Sequence, residues 1–315
     1  MKTHEVITQY IEYRKNLGGK FKTNTFILRS FEKYVGFEKE LTEICSVQCS
    51  NFLYGRAQKD LKITTYWFCI YTALNGLFVW ALQRGYVGKN PLPIEKPKKP
   101  LAFTPYIFSK EELKAIFNNS LTYRKRLNIV YPESIRIILM ITYFLGLRSS
   151  ETLKLCFSDI HLGDENYVLI RQTKFYKSRM IPFNKQVSFL LKTYLKWRKE
   201  NNLPEFPETN LFLTRKNEPI KLAAIQEAFR LICKKSNIHR IDGTKSDVRI
   251  CDFRHTFATN RIVSWYKEGK NVQNLLPVLS TYLGHCNLNS TAVYISFTDP
   301  LLHEASNLFE SYNCI

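Results

Sequence analysis

A stretch rich in proline and lysine, at residues 89–105, constrains the fold of this chain more than any other feature. It reads KNPLPIEKPKKPLAFTP and holds five prolines and four lysines. Proline has no backbone N–H and clashes with a helix interior, so neither a helix nor a central strand can run through this stretch. The sequence therefore predicts two domains joined by an extended basic linker at residues 89–106. The linker is either a plain spacer or a segment that runs along phosphates, and its lysines favour the second interpretation.

The first domain, residues 1–88, is predicted to be entirely helical. Apolar residues recur at helical spacing, and glycines end the segments. Helices are predicted at 6–18, 23–35, 46–54 and 63–82. The last of these is rich in aromatic residues. A bundle core explains them better than base stacking, because the bases of a DNA duplex are not free.

The second domain, residues 107–300, is predicted to be mainly α with a small antiparallel β-sheet. Ser109 and Glu112 form a capping box that opens its first helix. Alternating apolar residues predict a hairpin of two strands at 167–171 and 179–183. A further strand is predicted at 211–214. Further helices are predicted at 134–144, 187–198, 222–235, 252–267, 275–283 and 289–294.

The charge of the chain limits the choice of partner. The formal net charge is +19 at pH 7, with acidic residues interspersed throughout. Such an excess predicts a polyanionic partner, with nucleic acid the first candidate, although a protein that is merely lysine-rich is the alternative. The eight cysteines suggest neither a disulfide framework nor zinc spacing. No signal peptide is recognisable, so we expect a cytoplasmic protein that needs no metal or other cofactor.

Four residues that could act on a phosphate stand out in the second domain. Arg148 lies in GLRSSE, Arg254 in CDFRHTFATN, His285 in LGH and Tyr294 in TAVY, with a lysine-bearing hairpin after the first motif. Each residue alone is a weak signal, since an arginine at a helix end usually pairs with a nearby acid. Together, the order and spacing of the motifs resemble the tyrosine recombinase family, which includes phage integrases and Xer recombinases.

The resemblance implies a fold and a set of catalytic roles. It implies a helical core-DNA-binding (SAM-like) domain followed by a tyrosine-recombinase catalytic domain. Arg148 and Arg254 match the arginines that grip the scissile phosphate, for which a bidentate guanidinium is well suited. Tyr294 matches the nucleophile, which forms a 3′-phosphotyrosine and frees a 5′-hydroxyl without metal or ATP. His285 matches a hydrogen-bond donor to the phosphate, and Glu151 an acid that supports the site.

Two lysines compete for the role of general acid toward the leaving 5′-oxygen. The alignment of TKFYKSRMIP with the family's hairpin favours Lys174, which leaves Lys177 near DNA. The alternative is that both lysines only bind phosphate. The candidates for DNA binding are Lys177, Arg179, Lys96, Lys98, Lys99 and Lys62.

Cys251 is the position at which this chain departs from the family. The family usually has histidine three residues before the second arginine, whereas a thiol is a weaker hydrogen-bond donor. Three interpretations compete: retained activity, which we favour, reduced or regulated activity, and loss of function. His255, beside Arg254, is predicted to be a packing residue rather than a substitute for the missing histidine.

The leading hypothesis is a site-specific DNA recombinase that works through a Holliday junction in integration, excision or resolution. It would act as a homotetramer on double-stranded DNA with inverted core sites. Residues 301–315 would form a helix that docks on a neighbouring subunit, or else on its own domain. One alternative is a sequence-specific DNA-binding protein whose catalysis Cys251 impairs. Another is a type IB topoisomerase.

Overall fold

The computed structural model describes residues 1–55, 63–100, 104–123, 129–171, 178–242 and 247–285, and also residues 287, 291 and 294. The chain divides into two compact units, Met1–Phe103 and Thr104–Ile315. Each unit contains a hydrophobic core of its own. The division falls inside the proline-rich stretch, where the backbone has little capacity for regular hydrogen bonding.

The first unit is a helical bundle. Its helices are α1 (Thr3–Asn16), α2 (Lys22–Val35), α3 (Ser46–Tyr54) and α4 (Thr65–Gln83), with a 3₁₀ turn at Leu41–Glu43. In the described part of the chain, α4 alone is long and apolar enough to cross a membrane. Its aromatic and aliphatic side chains, however, form the centre of this core, among them Trp67, Leu74 and Phe78. The aromatic-rich helix is therefore a core helix, as predicted.

The first half of the proline-rich linker is attached to α4. Tyr71 donates a hydrogen bond from its hydroxyl to the carbonyl oxygen of Pro93, at 3.0 Å. The Nδ2 of Asn90 donates to the Oδ1 of Asn75 at 3.1 Å. The ammonium group of Lys96 lies 4.7 Å from the centre of the Tyr71 ring, within the range of a cation–π contact. This part of the linker is thus an ordered extension of the first unit.

The second unit is helical with one small sheet. Its helices are α5 (Lys110–Leu121), α6 (Pro132–Phe144), α7 (Ser149–Thr152), α8 (Lys185–Glu200), α9 (Leu222–Lys235), α10 (Asp252–Lys267) and α11 (Val272–Leu283). The sheet contains β1 (Ile160–His161), β2 (Tyr167–Ile170) and β3 (Arg179–Pro182), antiparallel and in that order. The predicted capping box is confirmed: Ser109 Oγ accepts from the Glu112 amide at 3.1 Å, and Glu112 Oε2 accepts from the Ser109 amide at 2.8 Å.

The prediction of a strand at 211–214 was wrong. These residues form isolated bridges, such as Thr214 with Val130 and Leu213 with Pro219. The segment is buried, which fits its apolar sequence, but its backbone bonds go to scattered partners. The amide of Leu211, for instance, donates to the carbonyl of Leu155 at 2.7 Å. The two-residue strand β1 was not predicted, and most of the helix predicted at 289–294 lies outside the described residues.

Helix α10 is anchored in the main core by Phe253. The ring of Phe253 lies 5.0 Å from that of Phe108 and 5.3 Å from that of Phe229. Successive residues of a helix point about 100° apart. The burial of Phe253 therefore fixes the direction in which the next residue, Arg254, leaves the helix.

Candidate active site

Arg148 stands at the N-cap of α7, directly after the turn that ends α6. Gly146 makes that turn with a φ of +58°. The guanidinium of Arg148 donates through Nη1 to Glu151 Oε1 at 2.8 Å, and the Arg148 amide donates to Glu151 Oε2 at 3.0 Å. The carboxylate of Glu151 holds the Arg148 side chain, about a third of which remains exposed to solvent. This orientation leaves the guanidinium able to meet an anion from outside.

Arg254 is the buried arginine of the site, at 6% exposure. Its Nη1 donates to the carbonyl oxygen of Gly146 at 2.9 Å, and its Nη2 donates to that of Leu283 at 2.5 Å. Burial, followed by the charge of Arg148, lowers the pKa of Arg254 to about 10. The side chain nevertheless remains a cation at neutral pH. It links the turn after α6 to the end of α11.

His285 follows Gly284, which ends α11 with a φ of +68°. Its Nε2 lies 2.9 Å from Arg254 Nη2, and its Nδ1 lies 2.8 Å from Thr291 Oγ1. Because a guanidinium only donates, Nε2 must accept, so the ring proton belongs on Nδ1 and is donated to Thr291. Burial, followed by the charges of Arg254 and Arg148, lowers the pKa of His285 to about 4. The imidazole is therefore neutral near pH 7.

Tyr294 is 5% exposed and lies between two histidine rings. Its ring centre is 5.3 Å from that of His255 and 5.9 Å from that of His285, the latter pair being nearly parallel. The side chain belongs to a small apolar cluster that includes Leu283. The phenol of Tyr294 lies beside the Arg254 guanidinium and partly opposes the lowering of its pKa by burial and by Arg148. His255, predicted as a packing residue, thus packs against the predicted nucleophile itself.

Glu151 joins two arginines beneath the site. It accepts from Arg148, as described above, and also from Arg179 Nη1 at 3.1 Å and Arg179 Nη2 at 2.8 Å. Burial alone would raise the pKa of Glu151, but the hydrogen bonds and charge of Arg179, followed by those of Arg148, outweigh it and hold the pKa at about 2. Glu151 is therefore ionised throughout the physiological range.

Arg179 does not have the environment expected of a DNA contact. Its side chain is only 11% exposed, and its guanidinium is occupied by the ion pair with Glu151. Its Nε donates to the carbonyl oxygen of Tyr282 at 2.9 Å. The sequence analysis named Arg179 only as a candidate for DNA binding. The partners of Arg179 lie 28 and 103 residues away, and no sequence signal connected them.

Cys251 is the N-cap residue of α10 and is exposed as a whole. The pKa of its thiol is nevertheless raised, first by burial of the sulfur and then by the charge of Asp252. The side chain is therefore a neutral thiol near pH 7. Its position, one helical turn before Arg254, is the one the sequence predicted.

The remaining predicted residues fall into two groups. Lys174, Lys177 and Lys62 lie outside the described residues. Lys96, Lys98 and Lys99 are exposed in the linker of the first unit, where the ammonium group of Lys99 lies 5.8 Å from the centre of the Phe68 ring. Over the described ranges, no group of three or more His, Cys, Asp or Glu side chains is placed to hold a metal ion.

An apolar groove of about 860 Å³ lies in the second unit, between the end of α6, the start of α8, α10 and α11. Aromatic side chains form much of its wall, including Phe144, Phe257 and Trp265. Phe189 and Val278, also in the wall, are well exposed. Large apolar side chains left open to water on adjoining elements are typical of a docking surface.

Comparisons with known proteins establish the family of the chain. The sequence profile of the phage integrase family matches residues 107–299. The protein y4rB of Sinorhizobium fredii, named for an integrase or recombinase, is 26% identical over 311 residues, which cover 97% of this chain and 96% of y4rB. Tyrosine recombinase XerA of Pyrococcus horikoshii is 28% identical over 212 residues, 67% of this chain and 64% of XerA.

Solved structures share the fold. The Tn1549 transposon integrase in complex with transposon right end DNA aligns with a TM-score of 0.68 at 17% identity, covering 99% of both chains. The XerH site-specific recombinase bound to a palindromic difH substrate aligns with a TM-score of 0.63 at 22% identity, covering 92% of this chain and 79% of XerH.

Proposed function

The chain belongs to the phage integrase family and is a tyrosine recombinase, and from this premise we propose that it performs site-specific DNA recombination with Tyr294 as its nucleophile. The observation that carries the proposal is the convergence of Arg148, Arg254 and His285 on one buried tyrosine. These side chains come from four separate parts of the second unit. A purely structural cluster would have no need for two cations beside a phenol.

The scissile phosphate would bind against Arg148 and Arg254. Each guanidinium neutralises charge on the non-bridging oxygens, which is the main requirement of phosphoryl transfer. The Tyr294 hydroxyl loses its proton to water, and its oxygen attacks phosphorus to form a 3′-phosphotyrosine bond. The bond to the 5′-oxygen breaks, and Lys174 supplies the proton that converts this oxygen to a hydroxyl. Attack by another 5′-hydroxyl reverses these steps and reseals the DNA, so no external energy source is consumed.

The wider reaction would join two DNA sites through a Holliday junction. We infer a homotetramer on inverted core sites, acting in integration, excision or resolution of a mobile element or replicon. The Tn1549 integrase in complex with transposon end DNA and XerH on a palindromic site support this reading. The formal charge of +19 supports an extended contact with DNA phosphates. Such a protein would work in the cytoplasm, on nucleoid DNA.

The C-terminal residues would connect the subunits of that assembly. Residues 301–315, which lie outside the described part of the chain, include Leu301, Leu302, Leu308 and Phe309 at helical spacing. The apolar groove between α6, α8, α10 and α11 offers a surface on which this segment of a neighbouring copy would be buried. Docking of this kind would let the state of one active site influence the next.

The decisive experiment is covalent trapping on DNA with a nick close to the cleavage position. The small fragment released by cleavage diffuses away, so the phosphotyrosine adduct accumulates and is seen as a slow band after denaturing electrophoresis. We expect an adduct with the wild-type protein and none with Tyr294→Phe, which keeps the ring and removes only the hydroxyl. An adduct that persists in Tyr294→Phe would refute Tyr294 as the nucleophile.

One observation favours a second function, that of a sequence-specific DNA-binding protein with impaired catalysis. The neutral thiol of Cys251 occupies the place where the family usually has an imidazole. A thiol donates a weaker hydrogen bond to a phosphate oxygen than an imidazole does. Under this alternative the wild-type protein would bind its site but form no adduct in the trapping experiment, whereas Cys251→His would form one.

A further inference from the structure

We propose that Arg179 is a positioning residue that holds the catalytic groups in register for cleavage. This inference rests on the proposed function, because it assigns Arg179 to the same site. Its guanidinium contacts both the carboxylate under Arg148 and the backbone of the turn that carries His285. Arg179 would act through these groups and would not touch the phosphate.

The first contact sets the direction of Arg148. Arg179 binds Glu151 with both terminal nitrogens, in the two-point geometry that fixes a carboxylate in plane as well as in position. Glu151 Oε1 is shared with Arg148 Nη1 at 2.8 Å. A guanidinium held by a rigid carboxylate keeps one orientation. A guanidinium held by a carboxylate that is free to rotate would sample several orientations. Only a few of these orientations would allow bidentate hydrogen bonding to the phosphate.

The second contact sets the position of His285. The Nε of Arg179 donates to the carbonyl of Tyr282 in the last turn of α11. The side chain also lies tight against Gly284, where an added Cβ would come 2.9 Å from Arg179 Nη1. The carbonyl of Gly284 in turn accepts from Arg148 Nη2 at 3.4 Å. The turn that presents His285 is thus bounded on one side by Arg179 and on the other by Arg148.

A third relation comes from the position of Arg179 in the chain. It is the first residue of β3 and lies opposite Ile170, the last residue of β2. The hairpin segment between them contains Lys174, the proposed general acid. The buried ion pair with Glu151 thus fixes the residue at which β3 begins. Arg179 therefore connects the carboxylate under Arg148, the turn before His285 and the start of β3.

Two other roles make different predictions. If Arg179 were a DNA contact, its loss would weaken binding, but the three hydrogen bonds described above all go to protein atoms and its side chain is 11% exposed. If Arg179 only stabilised the fold, its loss would lower the melting temperature without a specific effect on the chemical step. A positioning role predicts slower cleavage by protein that is folded and saturated with DNA.

The test uses the full-length protein with Arg179→Gln and the milder Arg179→Lys, which keeps the charge but loses the two-point fork. Arg198→Lys is the matched control. Arg198 is fully buried in the same unit and donates to the carbonyls of Leu211 and Pro204, away from the site. For each variant we would measure the melting temperature, the affinity for the core site by gel shift, and the first-order rate of adduct formation at saturating protein on the nicked DNA.

We expect Arg179→Gln to slow adduct formation by about 100-fold, the effect typical of a misplacement near 1 Å, while the affinity changes by less than about 3-fold. Arg179→Lys should retain an intermediate rate, and Arg198→Lys should match the wild-type rate even if it melts earlier. The inference is overturned if Arg179→Gln cleaves at the wild-type rate, if its defect disappears at saturating protein, or if Arg198→Lys is equally slow at the same loss of stability. A wild-type protein that forms no adduct would instead overturn the proposed function.

Discussion

Among the single residues, His285 is the most informative, because its imidazole is neutral and already hydrogen-bonded to Arg254 and Thr291. Its Nε2 accepts from Arg254, so it has no proton to offer a phosphate from that side in the free protein. An incoming phosphate would attract Arg254 away and place negative charge beside the ring. Both effects favour a proton on Nε2, gained from solvent or by a change of tautomer. Binding of the scissile phosphate should therefore be coupled to rearrangement of this one proton.

The lowered pKa of His285 predicts how stability depends on pH in the free protein. The pKa is about 4 in the folded state against an ordinary value of 6.5 for histidine, so the unfolded state binds the proton more readily. The free energy of unfolding should fall as the pH drops from 6.5 towards 4, and the contribution of this group should be constant above that window. Urea unfolding across this range would show the fall, and His285→Gln should reduce it. An unchanged slope in His285→Gln would contradict the assignment.

Cys251 gives a second prediction at this scale. Because the thiol is neutral and a weak donor, Cys251→Ala should lower the rate of adduct formation by no more than about 3-fold. Cys251→His restores an imidazole at the family's position and should raise the rate, by about 10-fold at most if the other groups already carry most of the charge stabilisation. Single-turnover trapping on nicked DNA measures both. A much larger gain, on the order of the full effect of a general acid or base, would favour the impaired-catalysis alternative.

The sequence grouped Arg148, Arg254, His285 and Tyr294 into one site because their motifs resemble those of a family whose phosphoryl transfer uses these side chains. In the structure Arg254 contacts His285, and the Tyr294 ring lies near that of His285. Their supporting partners were not found. Thr291, for example, is a small polar residue that would be unremarkable anywhere, and its importance comes only from its 2.8 Å approach to the imidazole. Such partners are chosen by tertiary distance, which the local sequence does not encode.

At the scale of elements, the turn between α6 and α7 is the most constrained part of the site. Gly146 adopts a left-handed conformation, and an added Cβ would come 2.4 Å from a carbon of the Phe257 ring. The carbonyl of the same residue accepts from Arg254. Any side chain here would strain the backbone and also push α10 away from the turn. The glycine therefore allows the two arginine-bearing elements to approach each other.

We expect Gly146→Ala to destabilise the protein by roughly 1–3 kcal/mol from backbone strain alone, with a further cost from the clash with Phe257. It should also slow adduct formation, because Arg254 loses its fixed partner. Gly163→Ala is the matched control, since Gly163 has open space where a Cβ would be and a φ that any residue adopts. Equal melting temperatures for the two variants would contradict this account of the turn.

Helices with a strong apolar periodicity or a capping signal could be predicted from the sequence. Segments whose conformation depends on distant backbone partners could not. The helices α5 and α9 have capping or amphipathic signals that act locally, and both were anticipated from the sequence. The segment 211–214 is a short apolar run that ends in a β-branched threonine, a pattern compatible with a buried strand, yet it pairs with single residues from three different regions. A sheet strand requires a continuous neighbour, and the sequence of one segment does not say whether that neighbour exists.

At the scale of the whole molecule, the net charge predicts a steep dependence of DNA binding on salt. If six to ten phosphates are contacted, the affinity should fall by about 10³ to 10⁵ between roughly 50 and 200 mM salt. Removing the charges of Lys96, Lys98 and Lys99 together should make the plot of log affinity against log salt shallower by up to about 2.7, or about 0.9 for each lysine that contacts a phosphate. Fluorescence anisotropy with a labelled core site measures the slope.

The control replaces three exposed lysines of α8, Lys192, Lys196 and Lys199, with glutamine. It changes the net charge by the same amount without altering the linker. If both triple variants reduce the slope equally, general charge is responsible, and the prediction that the linker lysines follow the phosphates fails. A clear difference between them would place the linker on the DNA.

The division of the chain into two units follows from the proline-rich stretch, which is a local and therefore readable feature. The sequence did not reveal that part of this stretch is bound to α4 through Tyr71 and Asn75. Proline content excludes regular structure, but it does not say whether an irregular segment is free or packed. That depends on whether a neighbouring surface offers donors and acceptors at matching positions, which only the folded unit determines.

The burial of Tyr294 has a consequence for the protein between reactions. A phenol that is 5% exposed and covered on two sides by imidazole rings is withheld from small electrophiles and oxidants in the surrounding water. If Tyr294 is the nucleophile, as proposed, it is shielded from solvent while no DNA is bound. Cleavage would then require the tyrosine to be uncovered, so the free enzyme would be latent until DNA binding exposes the hydroxyl.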